Sequence, residues 1–161
     1  DVVQRRAALQ GTSGSMGIIV DRDPGVFIRL ARCCQPIPGD PIVGFTTKGR
    51  GVSIHAKDCP QVKAIHEKER LLPAEWDESV EREFMTGIDV WGLNRTGILS
   101  DITQVLSDHE ISVNDVRLKY PGDLSVKIEL SVSAHSSSEI NTVIHKIRSI
   151  KDVVDAVRSK G

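Results

Sequence analysis

Phe84-Met85-Thr86-Gly87-Ile88-Asp89-Val90-Trp91 runs into Gly92-Leu93-Asn94-Arg95-Thr96-Gly97-Ile98-Leu99, and the change of period between the two stretches decides the fold of this half of the chain. In the first stretch Phe84, Thr86, Ile88 and Val90 share one side at period two, the pattern of a strand with one buried face. In the second, Thr96 is the expected N-cap. Ile98, Ile102, Val105 and Leu106 then follow the i, i+4, i+7, i+8 stripe of an amphipathic helix ending near Asp108.

Working outward, a second strand is expected from about Ser112 to Tyr120, its alternation slipping near Asp115 as a bulge would make it, with Pro121-Gly122-Asp123 as the turn. Leu124, Val126, Ile128, Leu130 and Val132 then alternate with Ser125, Lys127, Glu129 and Ser131, which reads as a half-buried antiparallel strand. Ser136 and Glu139 form an S-x-x-E capping box ahead of the inward stripe Ile140, Val143, Ile144 and Ile147, and Val153 to Arg158 supplies a last strand. The order β-α-β-β-α-β folds into one four-stranded antiparallel sheet with both helices on one face, a ferredoxin-like sandwich of the α+β class. Such a topology hosts many functions and by itself assigns none.

Upstream the pattern is different. Leu30-Ala31-Arg32-Cys33-Cys34-Gln35-Pro36-Ile37-Pro38-Gly39-Asp40 is followed by Pro41, and three prolines deny this segment a helix, so the two cysteines belong to a rigid loop. Short strands are expected on either side of Lys48-Gly49-Arg50-Gly51, whose glycines allow a tight hairpin turn with two basic side chains at its tip. Asp58 is the expected cap of a helix beginning at Cys59-Pro60, held down by Val62 and Ile65. The first half is therefore expected to be a small cysteine-containing hairpin-and-helix module.

Cys33, Cys34, His55 and Cys59 offer three thiolates and one imidazole, a set suited to structural zinc. Adjacent cysteines depart from the usual C-x2-C spacing and need a bent backbone to aim both sulfurs at one point. The competing reading makes one or more of them small buried apolar residues. Cys–His catalysis has no third orienting group beside it in the sequence.

The chain has 161 residues, enough for one full domain or two small ones and too few for a barrel enzyme. Its net charge of −1 conceals a split. Residues 26–63 carry six basic side chains against two acidic, and residues 64–83 three against seven. A basic block beside an acidic stretch suggests that the first half meets a polyanion; a solvated basic surface is the plainer alternative. Gly11-Thr12-Ser13-Gly14-Ser15 has linker composition. No apolar run approaches a membrane span and residues 1–10 lack a secretory core, so the reading is cytoplasmic, with no membrane partner.

The Asn94-Arg95-Thr96-Gly97-Ile98-Leu99 turn resembles the signature of ACT domains, small-ligand regulatory modules. The stretch from Arg29 to Val62, with CCQPIPGD followed by TKGRGVSIHAKDCP, resembles the cysteine module, also called zinc-finger or RIS domain, of the RelA/SpoT family. That family comprises long bifunctional (p)ppGpp synthetases and hydrolases. Together the two matches imply a C-terminal regulatory region, divided as linker or added sequence at 1–16, cysteine module at 17–70, acidic connector at 71–83 and ACT domain at 84–161. These residues hold no hydrolase His-Asp cluster and no nucleotide-binding Gly-rich loop, so the region is expected to catalyse nothing, while its parent looks like a GTP pyrophosphokinase and (p)ppGpp 3'-pyrophosphohydrolase.

The resemblance implies sensing of amino-acid starvation in the stringent response, through contacts with ribosomal RNA and deacylated tRNA, and control of distant catalytic domains in the same chain. Arg29, Arg32, Lys48, Arg50 and Lys57 are the expected RNA-facing set, reading structured RNA through its backbone, since only 4% of residues are aromatic. The alternative is a branched-chain amino-acid sensor at Asn94, Gly97, Ile98 and Asn114. Against that stands the simpler reading that Asn94 and Gly97 only cap a helix. Homodimerisation through the ACT domain is a further expectation.

Overall fold

The computed structural model describes residues 17–20, 27–46, 51–65, 68–78 and 81–159, and the chain divides after Arg82 into two compact units. The expected linker at 1–16 and the hairpin tip with Lys48 and Arg50 lie outside the described residues.

The first unit is a five-stranded mixed sheet. Its strands are β1 (Ile18–Val20), β2 (Phe27–Leu30), β3 (Ile42–Thr46), β4 (Gly51–Ala56) and β5 (Leu71–Trp76), with a one-turn helix α1 (Pro60–Lys63) after β4. The order across the sheet is β1-β5-β3-β4-β2. β3 and β4 make the expected antiparallel pair, Ile42 opposite Ala56 through Thr46 opposite Val52. Ile18, Val20, Ile42, Val52 and Ile54 form one buried cluster, joined by Ile28, Leu30, Leu72, Ala74 and Trp76.

Three strands of this sheet were not expected from the sequence. β5 occupies residues that read as an acidic connector, yet it pairs with β3 through Leu71, Leu72 and Pro73 and with β1 through Ala74, Glu75 and Trp76. Pro73 falls where the strand changes partners, which is how a residue without an N–H is accommodated between two strands. The sheet of the first unit thus runs past residue 70, and the Trp76 indole donates to the Asp40 carbonyl at 2.9 Å. The helix cap also differs: Cys59, not Asp58, is the N-cap of α1, and no side chain caps it.

The second unit is the sandwich expected. β6 (Phe84–Leu93), α2 (Ile98–Asp108), β7 (Ser112–Gly122), β8 (Ser125–Ala134), α3 (Ser137–Arg148) and β9 (Val153–Ser159) give an antiparallel sheet of order β7-β8-β6-β9. Phe84, Thr86, Ile88 and Val90 are buried, as are Val126, Ile128, Leu130 and Val132 on the same face of the neighbouring strand. Ile98, Ile102 and Leu106 of α2 and Ile140, Val143, Ile144 and Ile147 of α3 close over that face. At roughly 25 cal/mol per Å² of apolar surface, this burial is the main force holding the unit together.

Local details depart from expectation in three places. α2 is capped by Gly97 at φ +87°, not by Thr96. Leu124 precedes β8 and is 77% exposed. Ser136 does accept the Glu139 amide at 3.4 Å, but the Glu139 carboxylate accepts from the His135 amide instead of closing back on Ser136. The slip expected near Asp115 is a register shift between Val113 and Asp115, which leaves Asn114 as the extra residue.

Candidate functional site

A parallel strand pair assembles the cysteines and the histidine. β2 runs beside β4 in parallel register, Leu30 opposite Ile54, so the residues that follow each strand emerge at the same edge. The Ala31 amide continues the ladder to the Ile54 carbonyl at 2.9 Å, and the chain then turns at once, the Gln35 amide reaching the Ala31 carbonyl at 3.1 Å. Gln35 takes φ +42°. This turn supplies the bent backbone that two adjacent cysteines need. The Ile37 amide donates to the Asp40 carboxylate at 2.8 Å, which braces the proline loop behind it.

His55 is the next-to-last residue of β4, and a turn closed by the Cys59 amide on the Ala56 carbonyl at 3.0 Å returns Cys59 to it. The Sγ atoms of Cys33, Cys34 and Cys59 and a ring nitrogen of His55 consequently lie within 4.8 Å of one another. Cys33 Sγ stands 3.9 Å from Cys34 Sγ, 3.6 Å from Cys59 Sγ and 3.4 Å from His55 Nδ1. Cys34 Sγ is 3.8 Å from the same nitrogen. Ligands at zinc distances, tetrahedrally arranged, stand about 3.6–3.8 Å apart, so the four residues fit one ion. Cys34, His55 and Cys59 are buried, and only Cys33 reaches solvent in part.

Electrostatics prepare the set unevenly. Burial pushes the Cys34 thiol up to about 12, against the opposing pull of the Ala56 amide, which donates to its sulfur at 3.3 Å. Cys33 is likewise raised, by burial and by Cys59. At Cys59 burial also acts upward, but the Gln61 and Val62 amides and the neighbouring cysteines outweigh it, and the thiol falls below its ordinary value. Burial, with the charge of Arg29, keeps His55 less basic than usual and so neutral. A neutral imidazole and a thiol that releases its proton more readily than usual both favour metal ligation; the other two thiols would lose their protons as a cation bound.

A cleft of about 710 Å³ opens beside the centre, lined by Arg29, Arg32, Cys33, Ser53, His55 and Gln61 among others. Arg29 Nε donates to Ser53 Oγ at 3.2 Å across the β2–β4 pair. Of the five expected RNA-facing residues, Arg29 and Arg32 thus line one cleft, Lys57 is exposed in the turn after β4, and Lys48 and Arg50 lie outside the described residues. Ser53 and Gln61 were missed; Ser53 shares the strand face of His55 two residues away, a period-two signal available in the sequence.

The four expected amino-acid contacts do not converge within one chain. Asn94 is exposed, its amide donating to the Leu124 carbonyl at 2.8 Å, and Gly97 is next to it in the turn. Ile98 is 4% exposed and belongs to the core. Asn114 donates to Ser133 Oγ at 2.8 Å. Leu93 pairs with Ser125, so Asn94 and Asn114 sit at opposite ends of the sheet, separated along β8 by the span from Ser125 to Ser133, or roughly 26 Å at the rise of a strand. Arg95, part of the quoted signature but given no role from the sequence, organises the turn: it pairs with Asp101 at 2.8 Å and with Asp152 at 3.0 Å and donates to the Lys151 carbonyl at 2.9 Å.

Family models match both units: residues 18–77 match the RelA/SpoT RIS domain and residues 81–158 an ACT domain. Among curated proteins, a GTP pyrophosphokinase of Streptomyces coelicolor is 35% identical over 143 residues, covering 88% of this chain and 17% of that protein. One from Escherichia coli K12 is 34% identical, covering 89% and 20%, and a bifunctional (p)ppGpp synthase/hydrolase RelA of Mycobacterium tuberculosis is 30% identical, covering 91% and 20%. The chain spans about a fifth of the length of these relatives. The solved ACT domain of a GTP pyrophosphokinase from Chlorobium tepidum is 22% identical, covers 48% of this chain and all of its own, and superposes with a TM-score of 0.44. Among the described residues, no helix is long and apolar enough to cross a membrane.

Proposed function

We propose that this chain, a regulatory region of the RelA/SpoT family made of a RIS domain and an ACT domain, is non-catalytic and couples amino-acid starvation to distant (p)ppGpp synthetase and hydrolase domains by contacting ribosomal RNA and deacylated tRNA in the cytoplasm. In this reading Cys33, Cys34, His55 and Cys59 hold a structural zinc, and Arg29, Arg32, Lys48, Arg50 and Lys57 face the RNA. The observation that carries it is the convergence of three thiols and one imidazole within 4.8 Å beside a cleft lined by two arginines. Zinc would fix the Cys33–Cys34 turn against β4 and so hold Arg29 and Arg32 in place; its chemistry here is structural, because all four ligand positions come from the chain. The test is metal analysis of protein purified without chelator, combined with ribosome binding across a salt series. A zinc content far below one per chain, or binding indifferent to salt, sinks the reading.

A second reading, an ACT-mediated amino-acid sensor and homodimer, is favoured by the free edge of the second sheet. Among the described residues β7 pairs only with β8, and its Val113, Leu118 and Tyr120 are 36%, 42% and 59% exposed. An unpaired edge of this length invites a second copy. Antiparallel pairing along β7 would place the Asn114 end of one copy beside the Asn94 end of the other, so that a branched-chain amino acid would meet Asn94 and Gly97 from one copy and Asn114 from its mate. Calorimetry with valine, isoleucine and serine, run beside sedimentation at several concentrations, tests both halves. A monomer at all concentrations with no heat removes this reading and leaves RNA contact standing.

A further inference from the structure

The cleft beside the thiol centre has a chemistry of its own. Among the described residues its lining includes two guanidinium groups, a hydroxyl, a carboxamide and the Cys33 and His55 side chains of the centre, and no carboxylate. Neither Arg29 nor Arg32 forms an ion pair among the described residues, and Arg29 is held against β4 by its single bond to Ser53. Two exposed arginines in one cleft, one of them anchored on Ser53, suit a multivalent oxyanion: the planar forks give paired N–H donors to two oxygens at once, and Ser53 and Gln61 can donate to a third. Phe27, 78% exposed, lies two residues before Arg29 on the same side of β2, at the strand end away from the cysteines.

We propose that this cleft is a phosphate-group site, with Arg29 and Arg32 as the charged wall, Ser53 and Gln61 as hydrogen-bond donors, and a backbone phosphate of the docked RNA as the natural occupant. The proposal rests on the RNA-facing reading above and sharpens it to one position. The site is specific to phosphate chemistry and not to sequence, since nothing in the lining is placed to read base edges. A free nucleotide phosphate has the same chemistry. The other duty open to the two arginines is to balance thiolate charge at the centre.

The test uses the full chain loaded with zinc. Arginine Nε–Hε resonances are followed while inorganic pyrophosphate replaces chloride at constant ionic strength, and affinity for a structured ribosomal RNA fragment is measured by anisotropy across a salt series. Saturating shifts at Arg29 and Arg32 are expected, and R29Q/R32Q should weaken RNA binding by roughly tenfold or more and flatten the salt slope by about two phosphate contacts. Unmoved resonances overturn the site whatever the RNA does. Shifts with pyrophosphate, but unchanged RNA affinity in R29Q/R32Q, keep the phosphate site, assign it to a free phosphate ligand and remove the RNA reading beneath it. If the double variant sheds its zinc, R32Q alone is measured: an undiminished pyrophosphate response in R32Q overturns the proposal in favour of the counter-charge role.

Discussion

The Cα of Gly92 faces the backbone of Asp152 so closely that a β-carbon at position 92 would stand 2.7 Å from the Asp152 carbonyl oxygen and 2.8 Å from Ile98 Cδ1. Three elements meet there: the end of β6, the first turn of α2 and the approach to β9. Gly92→Ala must push backbone apart and not merely rotate a side chain. The substitution should destabilise the ACT unit by about 1–3 kcal/mol in chemical denaturation. A loss under a few tenths would mean that the contact relaxes freely.

Asp152 itself is a non-glycine residue at φ +70°, with its carbonyl receiving the Leu93 amide at 2.9 Å and its carboxylate held by Arg95. Asp152→Ala removes the ion pair and keeps the unfavourable backbone, whereas Asp152→Gly removes both. The alanine variant should therefore be the less stable by about 1 kcal/mol. Equal stabilities would show that the left-handed conformation costs nothing at this position.

Chelation should act on one unit only. The thiol centre brings β2, β4 and the turn before α1 together, and the zinc proposed for it would contribute on the order of 10 kcal/mol. Stripping the metal, or Cys59→Ser, should abolish amide protection in residues 27–65 while strands β6 to β9 keep theirs. Hydrogen exchange resolves the two halves separately; full protection of β4 in the metal-free protein would contradict the centre's structural role.

Asp89 lies on the open face of β6 opposite Glu129, and burial raises its carboxyl above the ordinary range, with Lys127 acting against that shift and Glu129 adding to it. A carboxyl whose folded value is raised binds its proton more readily when folded, so its ionised form works against folding at neutral pH. That opposition fades as pH falls through the folded value towards the unfolded one. Asp89→Asn should raise the midpoint of thermal unfolding near pH 7, with the advantage over wild type shrinking as pH falls through the raised folded value and gone once pH is below the ordinary carboxyl value of 3.8. An advantage that grew on acidification would reverse the sign.

The second unit was legible because its signals are local. Val126 to Val132 alternate without interruption on a strand flanked by two others, so every side chain reports its face. The strands missed in the first unit report nothing of the kind. β2 has four residues, and its parallel partner β4 begins 24 positions after it, at Gly51 opposite Phe27; β5 carries Pro73 and Glu75 and divides its pairing between two neighbours. The residue types of the metal set were readable, but their convergence was not, because it follows from that same parallel pairing. The distance between Asn114 and Asn94 was hidden for a related reason: sequence placed Asn114 in a strand, and only the register puts it at the far end of the sheet from Asn94 within one chain.

Parallel pairing of β2 with β4 also bears on how the protein comes off the machine that makes it. The cysteine turn emerges well before its histidine and last thiol, so β2 can have no permanent neighbour until some thirty further residues have been synthesised, a delay expected of contacts between distant parts of a chain. During that interval the hairpin β3–β4 is the local structure able to form. In the zinc-bound form proposed above, arrival of the fourth ligand would close the whole edge in one event, and metal supply would then condition the birth of this unit as well as its upkeep.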